Sequence, residues 1–451
     1  MWSWDILRFD AGSGRGSSGA GKPRIYVDCT QTLARPVTTG IPRVVRSIVR
    51  HGALVAEAHG ATLVPVRFQW GRFVPVPVGP EGLLRPMAPE HPLTRRLRKL
   101  LVPRTLVRKA NRLAARLRDR SPASPGIAFG RHDVLLLPDS SWGEEFWGVI
   151  DAARAVGTRL GVVQHDFIPL RHPELVPPKS TAVFRRWMRA TLTRADFVLA
   201  VSETVARETR AELLALGRAE IAKRHVATFR NGSDFCETEP PQGARSRVRT
   251  SLQRFLAAGS VAPFLTVGTI EPRKNQAHLV EAFRRLHAVD PTARLLVLGM
   301  VGWKGQSVAA AMRRHPAWGS GILHVSDASD AELLHAYRHA RALIFPSLAE
   351  GYGLPIVEAL AAGLPVLASD IPVHREVGGR HCTYFDPHCP DVLAACLRDF
   401  CRHGSRGRHG VRPDRLPSWT EAAETIVTTA LTDVDRGSTP RVAAARLRLA
   451  G

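Results

Sequence analysis

Two carboxylates eight residues apart, a pair of adjacent cations and one histidine are the residues of this chain best suited to chemistry. The densest cluster is Pro346-Ser347-Leu348-Ala349-Glu350-Gly351-Tyr352-Gly353-Leu354-Pro355-Ile356-Val357-Glu358. An apolar run, Ala342-Leu343-Ile344-Phe345, ends just before it and reads as a strand, and a helix opens near Pro355. Gly351 and Gly353 let the backbone approach a ligand closely. Tyr352 and Leu354 complete the loop, and the N–H groups of the helix N-terminus form a seat for a diphosphate. Glu350, in the loop, is placed to accept hydrogen bonds from sugar hydroxyls. Glu358, one turn into the helix, is placed to accept them from a ribose diol. A helix dipole alone accounts for an early Glu, but not for Glu350, two glycines and a proline together.

A second cluster is Val267-Gly268-Thr269-Ile270-Glu271-Pro272-Arg273-Lys274-Asn275. A strand ends, Gly268 permits a turn, and two cations follow. Arg grips phosphate oxygens bidentately and Lys adds a compact charge, so Arg273 and Lys274 suit the charge growing on a departing nucleoside diphosphate. In an Arg-rich chain, the ordinary reading of such a turn is a solvated basic surface. In the first half, His165 follows the apolar run Gly161-Val162-Val163. Asp166 beside it either orients the imidazole or caps the next turn.

The elements that position these residues alternate. Strands are expected at 24–28, 61–68, 133–137, 161–163, 196–201 and 226–229, then at 263–267, 294–298, 342–345 and 365–368. Helical sequence lies between them. Ser202 reads as the cap of a helix from Glu203. Two such series mean an α/β chain with two doubly wound parallel sheets, and ligands in such sheets bind beyond the carboxyl ends of the strands. The organisation expected is a flexible N-terminus (1–22), a first domain (23–240), a second domain (241–415), a helix (416–432) and a basic tail (433–451). The linker is placed within 236–262. Residues 93–120 break the pattern as a basic amphipathic stretch with eleven Arg or Lys and one Asp.

The chain of 451 residues carries 63 basic against 40 acidic residues, a net charge of +23, which draws it to phosphate or to an anionic membrane surface. Six thinly spread cysteines read as reduced thiols in the cytoplasm. Neither a secretory signal nor a transmembrane helix is expected. His381-Cys382 and His388-Cys389 lack metal-type spacing, so no zinc site is expected.

The run Glu350 to Asp370, with its two glutamates eight apart, resembles the nucleotide-sugar signature of glycosyltransferase family 4, the retaining group 1 enzymes. Val267–Asn275 is similar to that family's phosphate-gripping turn. His165-Asp166-Phe167-Ile168-Pro169 resembles a motif of its mannosyl- and rhamnosyltransferases, and Gly40-Ile41-Pro42-Arg43 its opening loop. The resemblance implies a GT-B fold of two Rossmann-like domains facing an inter-domain cleft, and a final helix, at Trp419, crossing back to the first domain. It implies metal-independent transfer with retention, and no resident cofactor. The donor is a nucleotide sugar, GDP-mannose before others, and the acceptor a glycan or lipid-linked glycan in surface polysaccharide assembly. By the same resemblance His165, Arg273, Lys274 and Glu350 act on the reacting sugar and diphosphate. Gly40, Gly268, Gly351, Tyr352, Gly353, Leu354 and Glu358 line the donor. Leu296-Val297-Leu298-Gly299 is similar to a strand–Gly element near the family's base site, and Trp303 and Lys304 after it either line that region or are ordinary loop residues. An epimerase of the same fold, or a non-enzymatic nucleic-acid- or membrane-binding protein, are the alternatives. The enzyme is expected in the cytoplasm, with 93–120 either holding it on the inner membrane face or forming helices with an Arg-rich solvent face on the first domain.

Overall fold

The structure, a computed structural model, describes residues 22–34, 40–69, 71–79, 84, 126–234, 248–259, 261–403 and 416–432. The expectations for the N-terminal 21 residues, for 93–120 and for the tail from 433 lie outside the described residues.

The first sheet holds β1 (Arg24–Asp28), β2 (Thr62–Gln69), β3 (Arg72–Pro75), β4 (Val134–Leu137), β5 (Arg159–Gln164), β6 (Phe197–Ala200) and β7 (Val226–Thr228), in the order β3-β2-β1-β4-β5-β6-β7. The second holds β8 (Phe264–Val267), β9 (Leu295–Leu298), β10 (Ile322–Val325), β11 (Ala342–Phe345), β12 (Val366–Ser369) and β13 (Cys382–Phe385), in the order β10-β9-β8-β11-β12-β13. Central strands such as Val134-Leu135-Leu136-Leu137 are buried along their whole length, as a sheet covered by helices on both faces requires. Strand order reverses between β1 and β4 in one sheet and between β8 and β11 in the other. These two switch points are where crevices open in folds of this kind.

One expectation needs correction. The first sheet is not wholly parallel: β3 runs antiparallel to β2, returning through a turn in which Gly71 takes φ 77°. The stretch 236–262, where the linker is expected, also holds ordered structure. It contains the helix Thr250–Ala257, whose Leu252, Phe255 and Leu256 are buried. These stand at i, i+3 and i+4, a helical stripe obscured by flanking charges. Arg249, just before it, donates to Glu332 and, at 2.9 Å, to Asp327, so the helix is fixed to the second domain.

The helix Trp419–Leu431 is opened by a capping box between Ser418 and Glu421. It packs on the helix Ile41–Ala58 of the first domain, where His59 meets Glu424 at 2.6 Å, and Arg159 donates to the carbonyl of Ala430 at 2.8 Å. Among the described residues no helix is long and apolar enough to cross a membrane.

Gly161 of β5 faces Phe197 of β6, whose ring is buried beneath the Arg159 guanidinium. A Cβ at Gly161 would stand 2.2 Å from that ring. Gly161→Ala is expected to destabilise the protein by about 1–3 kcal/mol through overpacking, read from urea unfolding; an unchanged midpoint would refute this packing account.

Candidate functional site

The turn after β8 is built from backbone packing. Gly268 takes φ 135° and Gly299, at the end of β9, takes φ 150°; a Cβ on Gly299 would lie 2.1 Å from the Gly268 carbonyl oxygen. Only glycine fits such an approach. Gln276 holds the loop through its amide and the Thr269 carbonyl at 2.9 Å, and Asn275, in the left-handed region, binds the Pro387 carbonyl. The short helical turn Pro272–Lys274 then projects two cations toward the loop after β11.

Both cations converge on one carboxylate. Arg273 donates to Glu350 at 2.8 Å, and Lys274 donates to the other oxygen of Glu350 at 2.5 Å. Arg273 also meets Glu271 at 2.9 Å and the Ala349 carbonyl at 3.2 Å, and Lys274 lies 4.7 Å from the centre of the Phe345 ring. Burial works against a charged Glu350, but the pull of Arg273 and Lys274 outweighs it and holds the carboxyl at about 2. Burial lowers the Lys274 ammonium, with Arg273 adding repulsion. The helix Leu354–Ala361 begins directly beyond, with Gly353 at φ 105° and Leu354 half-buried as its first residue.

This loop rests on the first domain. The Gly351 carbonyl accepts from the Ser202 hydroxyl at 2.8 Å, and a Cβ on Gly351 would fall 1.8 Å from the carbonyl oxygen of His165. The Tyr352 hydroxyl donates to the Asn231 carbonyl at 3.0 Å, and burial raises its phenol to about 12. Beside it Glu376 accepts from the backbone N–H groups of Glu203 and Thr204, at 2.6 and 2.9 Å. His165 donates from Nε2 to the Pro138 carbonyl at 2.7 Å, and burial lowers its pKa, so the ring is neutral with Nδ1 as the acceptor. Of the two roles open to Asp166 the structure takes the cap: its carboxylate accepts from the Ile168 N–H at 3.0 Å.

Glu358 belongs to a second cluster. It is 2% exposed, accepts from Arg43 of the first domain, and accepts from the Tyr337 hydroxyl at 2.8 Å. Arg43 also meets Asp330 at 2.8 Å. Gly40, at φ 68°, precedes the helix that carries Arg43, and Pro42 lies in its first turn. The Glu358 expected to face a ribose is thus engaged by a guanidinium and a phenol. Trp303 and Lys304 lie together in the β9 loop, the ammonium 4.5 Å from an indole ring centre.

Sequence reasoning assigned no role to Arg43, Tyr337, Asp139 or Ser141. Arg43 follows directly on the Gly-Ile-Pro turn, which was its available signal. Asp139 follows β4 and faces Asp28 at the end of β1. Asp28 accepts from the Ser141 hydroxyl at 2.7 Å and the Thr30 hydroxyl at 2.5 Å, and burial together with the Asp139 charge pushes it up to about 7. This acid pair marks the first sheet's switch point.

Because Glu350 is held below its ordinary value of 4.5, its charge stabilises the fold above that pH, and the contribution is lost as pH falls through about 2. Glu350→Gln is therefore expected to melt below the wild type above pH 4.5, with the gap closing toward pH 2; a gap independent of pH would refute the assignment. Gly351→Ala is expected to part the two domains, measured as faster hydrogen exchange at 202–205 and 351–353. Unchanged protection there would show that the contact is not close enough to matter.

Residues 253–406 match the family described as Glycosyl transferases group 1. Over 313 residues, 68% of this chain, the sequence is 31% identical to the serotype-specific mannosyltransferase WbdA of Escherichia coli; the match covers 38% of that protein, so the chain spans little more than a third of its length. In three dimensions the chain is similar to Anabaena Alr3699/HepE in complex with UDP-glucose, with a TM-score of 0.54, 14% identity, and coverage of 91% of this chain and 98% of the other. It is also similar to sucrose-phosphate synthase from Thermosynechococcus elongatus, with a TM-score of 0.55, 16% identity, and coverage of 92% and 94%. The second domain is thus that of the group 1 glycosyl transferases, and the chain as a whole takes the GT-B fold.

Proposed function

We propose that this chain is a retaining, metal-independent hexosyltransferase. It moves a hexose, mannose before others, from a nucleotide sugar to a glycan or lipid-linked glycan acceptor in surface polysaccharide assembly. The observation that carries this reading is the convergence of Arg273 and Lys274 on the single carboxylate of Glu350, beside the N-terminus of the helix Leu354–Ala361. Two cations and a helix N-terminus together complement a diphosphate. The similarity to a mannosyltransferase supports mannose as the sugar.

When donor binds, its diphosphate takes the two cations and Glu350 turns to the sugar hydroxyls. The bond between the anomeric carbon and the diphosphate oxygen then breaks. Arg273 and Lys274 stabilise the charge left on the leaving group. The acceptor oxygen bonds to the anomeric carbon from the same face, and its proton passes to the departing phosphate oxygen. Neutral His165, at the mouth of the crevice, is positioned to accept from a sugar hydroxyl through Nδ1. No feature of the site favours an epimerase or a nucleic-acid-binding protein.

The test is thermal unfolding with GDP-mannose, GDP, UDP-glucose, UDP and dTDP-rhamnose. A ligand at 100 times its Kd stabilises the fold by about 2.7 kcal/mol. A shift with guanine nucleotides and a turnover about 10²–10³-fold lower in Arg273→Ala are expected. Wild-type turnover in that variant would overturn the reading. The basic stretch 93–120 supports docking on an anionic membrane. Flotation with liposomes is expected to require anionic lipid; equal recovery with neutral lipid would refute charge-driven docking.

A further inference from the structure

An open cavity of about 330 Å³ lies on the first domain, between the loop that follows β4 and the helix Pro178–Arg194. Three indoles, Trp142, Trp147 and Trp187, line it together with Glu144, Glu145 and Arg186. Trp142 and Trp187 also line a second, smaller niche of about 10 Å³, whose other walls include Gln164, His165 and Asp166. Trp142 and Trp187 thus border both the outer cavity and the niche beside His165.

The rings are held in place. Trp142 packs edge-on to Phe184 at 4.9 Å, and Trp147 packs on Phe146 at 5.0 Å. Arg194 covers Trp147 at 5.3 Å while bound to Asp151 at 2.7 Å, so its charge is already matched. Trp142 and Trp147 are only half-buried, which leaves indole surface open to a ligand. In the walls of the inner niche, the Trp187 indole N–H and the Gln164 side-chain oxygen are buried without a hydrogen-bond partner. One is a donor and the other an acceptor. A hydroxyl group satisfies both, because it accepts and donates at once. The niche has room for about one water-sized group.

We propose that this cavity and the niche beside it form the acceptor site and that it takes a neutral oligosaccharide. The inference rests on the glycosyl-transfer reading and adds to it the chemistry of the acceptor. A pyranose ring offers a face of C–H groups that packs on the π-face of an indole, and hydroxyls at its rim that bond to carboxylates and guanidinium. Trp142 and Trp147 carry the outer rings, with Glu144, Glu145 and Arg186 at their edges. A hydroxyl of the innermost ring, other than the one that receives the hexose, enters the niche between Trp187 and Gln164, beside His165. An ionised phosphate oxygen can accept from the Trp187 N–H but has no proton for the Gln164 oxygen, so this pair favours a hydroxyl, and hence a neutral sugar, over a phosphate group.

The test is calorimetric titration of the full-length protein with α-linked mannotetraose, with and without GDP, alongside the thermal shift given by GDP. Saturable binding of the tetrasaccharide is expected, weakened at least tenfold in Trp147→Ala and in Trp142→Ala and retained in Trp147→Phe. The GDP shift, unchanged in these variants, shows that they fold. Absence of mannotetraose binding to wild type, or equal affinity in wild type and both alanine variants, overturns the proposal. Tetrasaccharide binding with no response to any nucleotide supports the sugar site and instead removes the transfer reading. Weakening by inorganic phosphate as competitor would identify an anion site and overturn the neutral-sugar assignment.

Discussion

The way the two domains meet is organised around a buried carboxylate whose guanidinium partner lies in the other domain. Glu358 is buried inside the second domain, and an unpaired carboxylate there costs several kcal/mol. Its guanidinium partner, Arg43, comes from the first domain, from the helix Ile41–Ala58. Asp330 shares that guanidinium. Once the pair forms, the domains approach so closely at the Gly351 loop that no side chain fits at position 351. Ser202, Asn231 and Glu376 then fasten the same seam with neutral and charge-assisted hydrogen bonds. The helix Trp419–Leu431 ties the chain's later part back onto that same first-domain helix.

The central strands were readable because they are buried on both faces and so nearly uniformly apolar. Edge strands were harder. β10 and β13 close the two ends of the second sheet, and each shows two half-exposed residues between buried ends, Leu323 and His324 in one, Thr383 and Tyr384 in the other. Their sequences carry the polar residues such exposure allows, so they do not stand out from loops. β3 is likewise an edge, joined by a tight turn rather than a helical crossover. The helix at 250–257 was masked by charge around three apolar positions.

At the site, the loops after strand ends were legible because glycine, proline and charge occur there in sequence order. What could not be read was pairing over long separations. Arg43 and Glu358 are 315 residues apart, and no local pattern links them. The same holds for Ser202, whose local role as a helix cap is correct but incomplete, since its hydroxyl also binds the Gly351 carbonyl. Asp28 looked like the last residue of a strand. Only the fold brings Asp139 beside it and turns two ordinary aspartates into a pair that resists losing its last proton.

The carboxylate of Glu350 sits where an anion would bind, and it does so with both oxygens. It acts as a tethered competitor whose local concentration no solute can match. A singly charged anion that displaced it would merely exchange one negative charge for another and lose the advantage of tethering. A diphosphate brings more than one charge and reaches both cations at once. Under the proposed function, the crevice would therefore discriminate by valence as well as by shape, because a small monovalent anion gains nothing by displacing the tethered carboxylate.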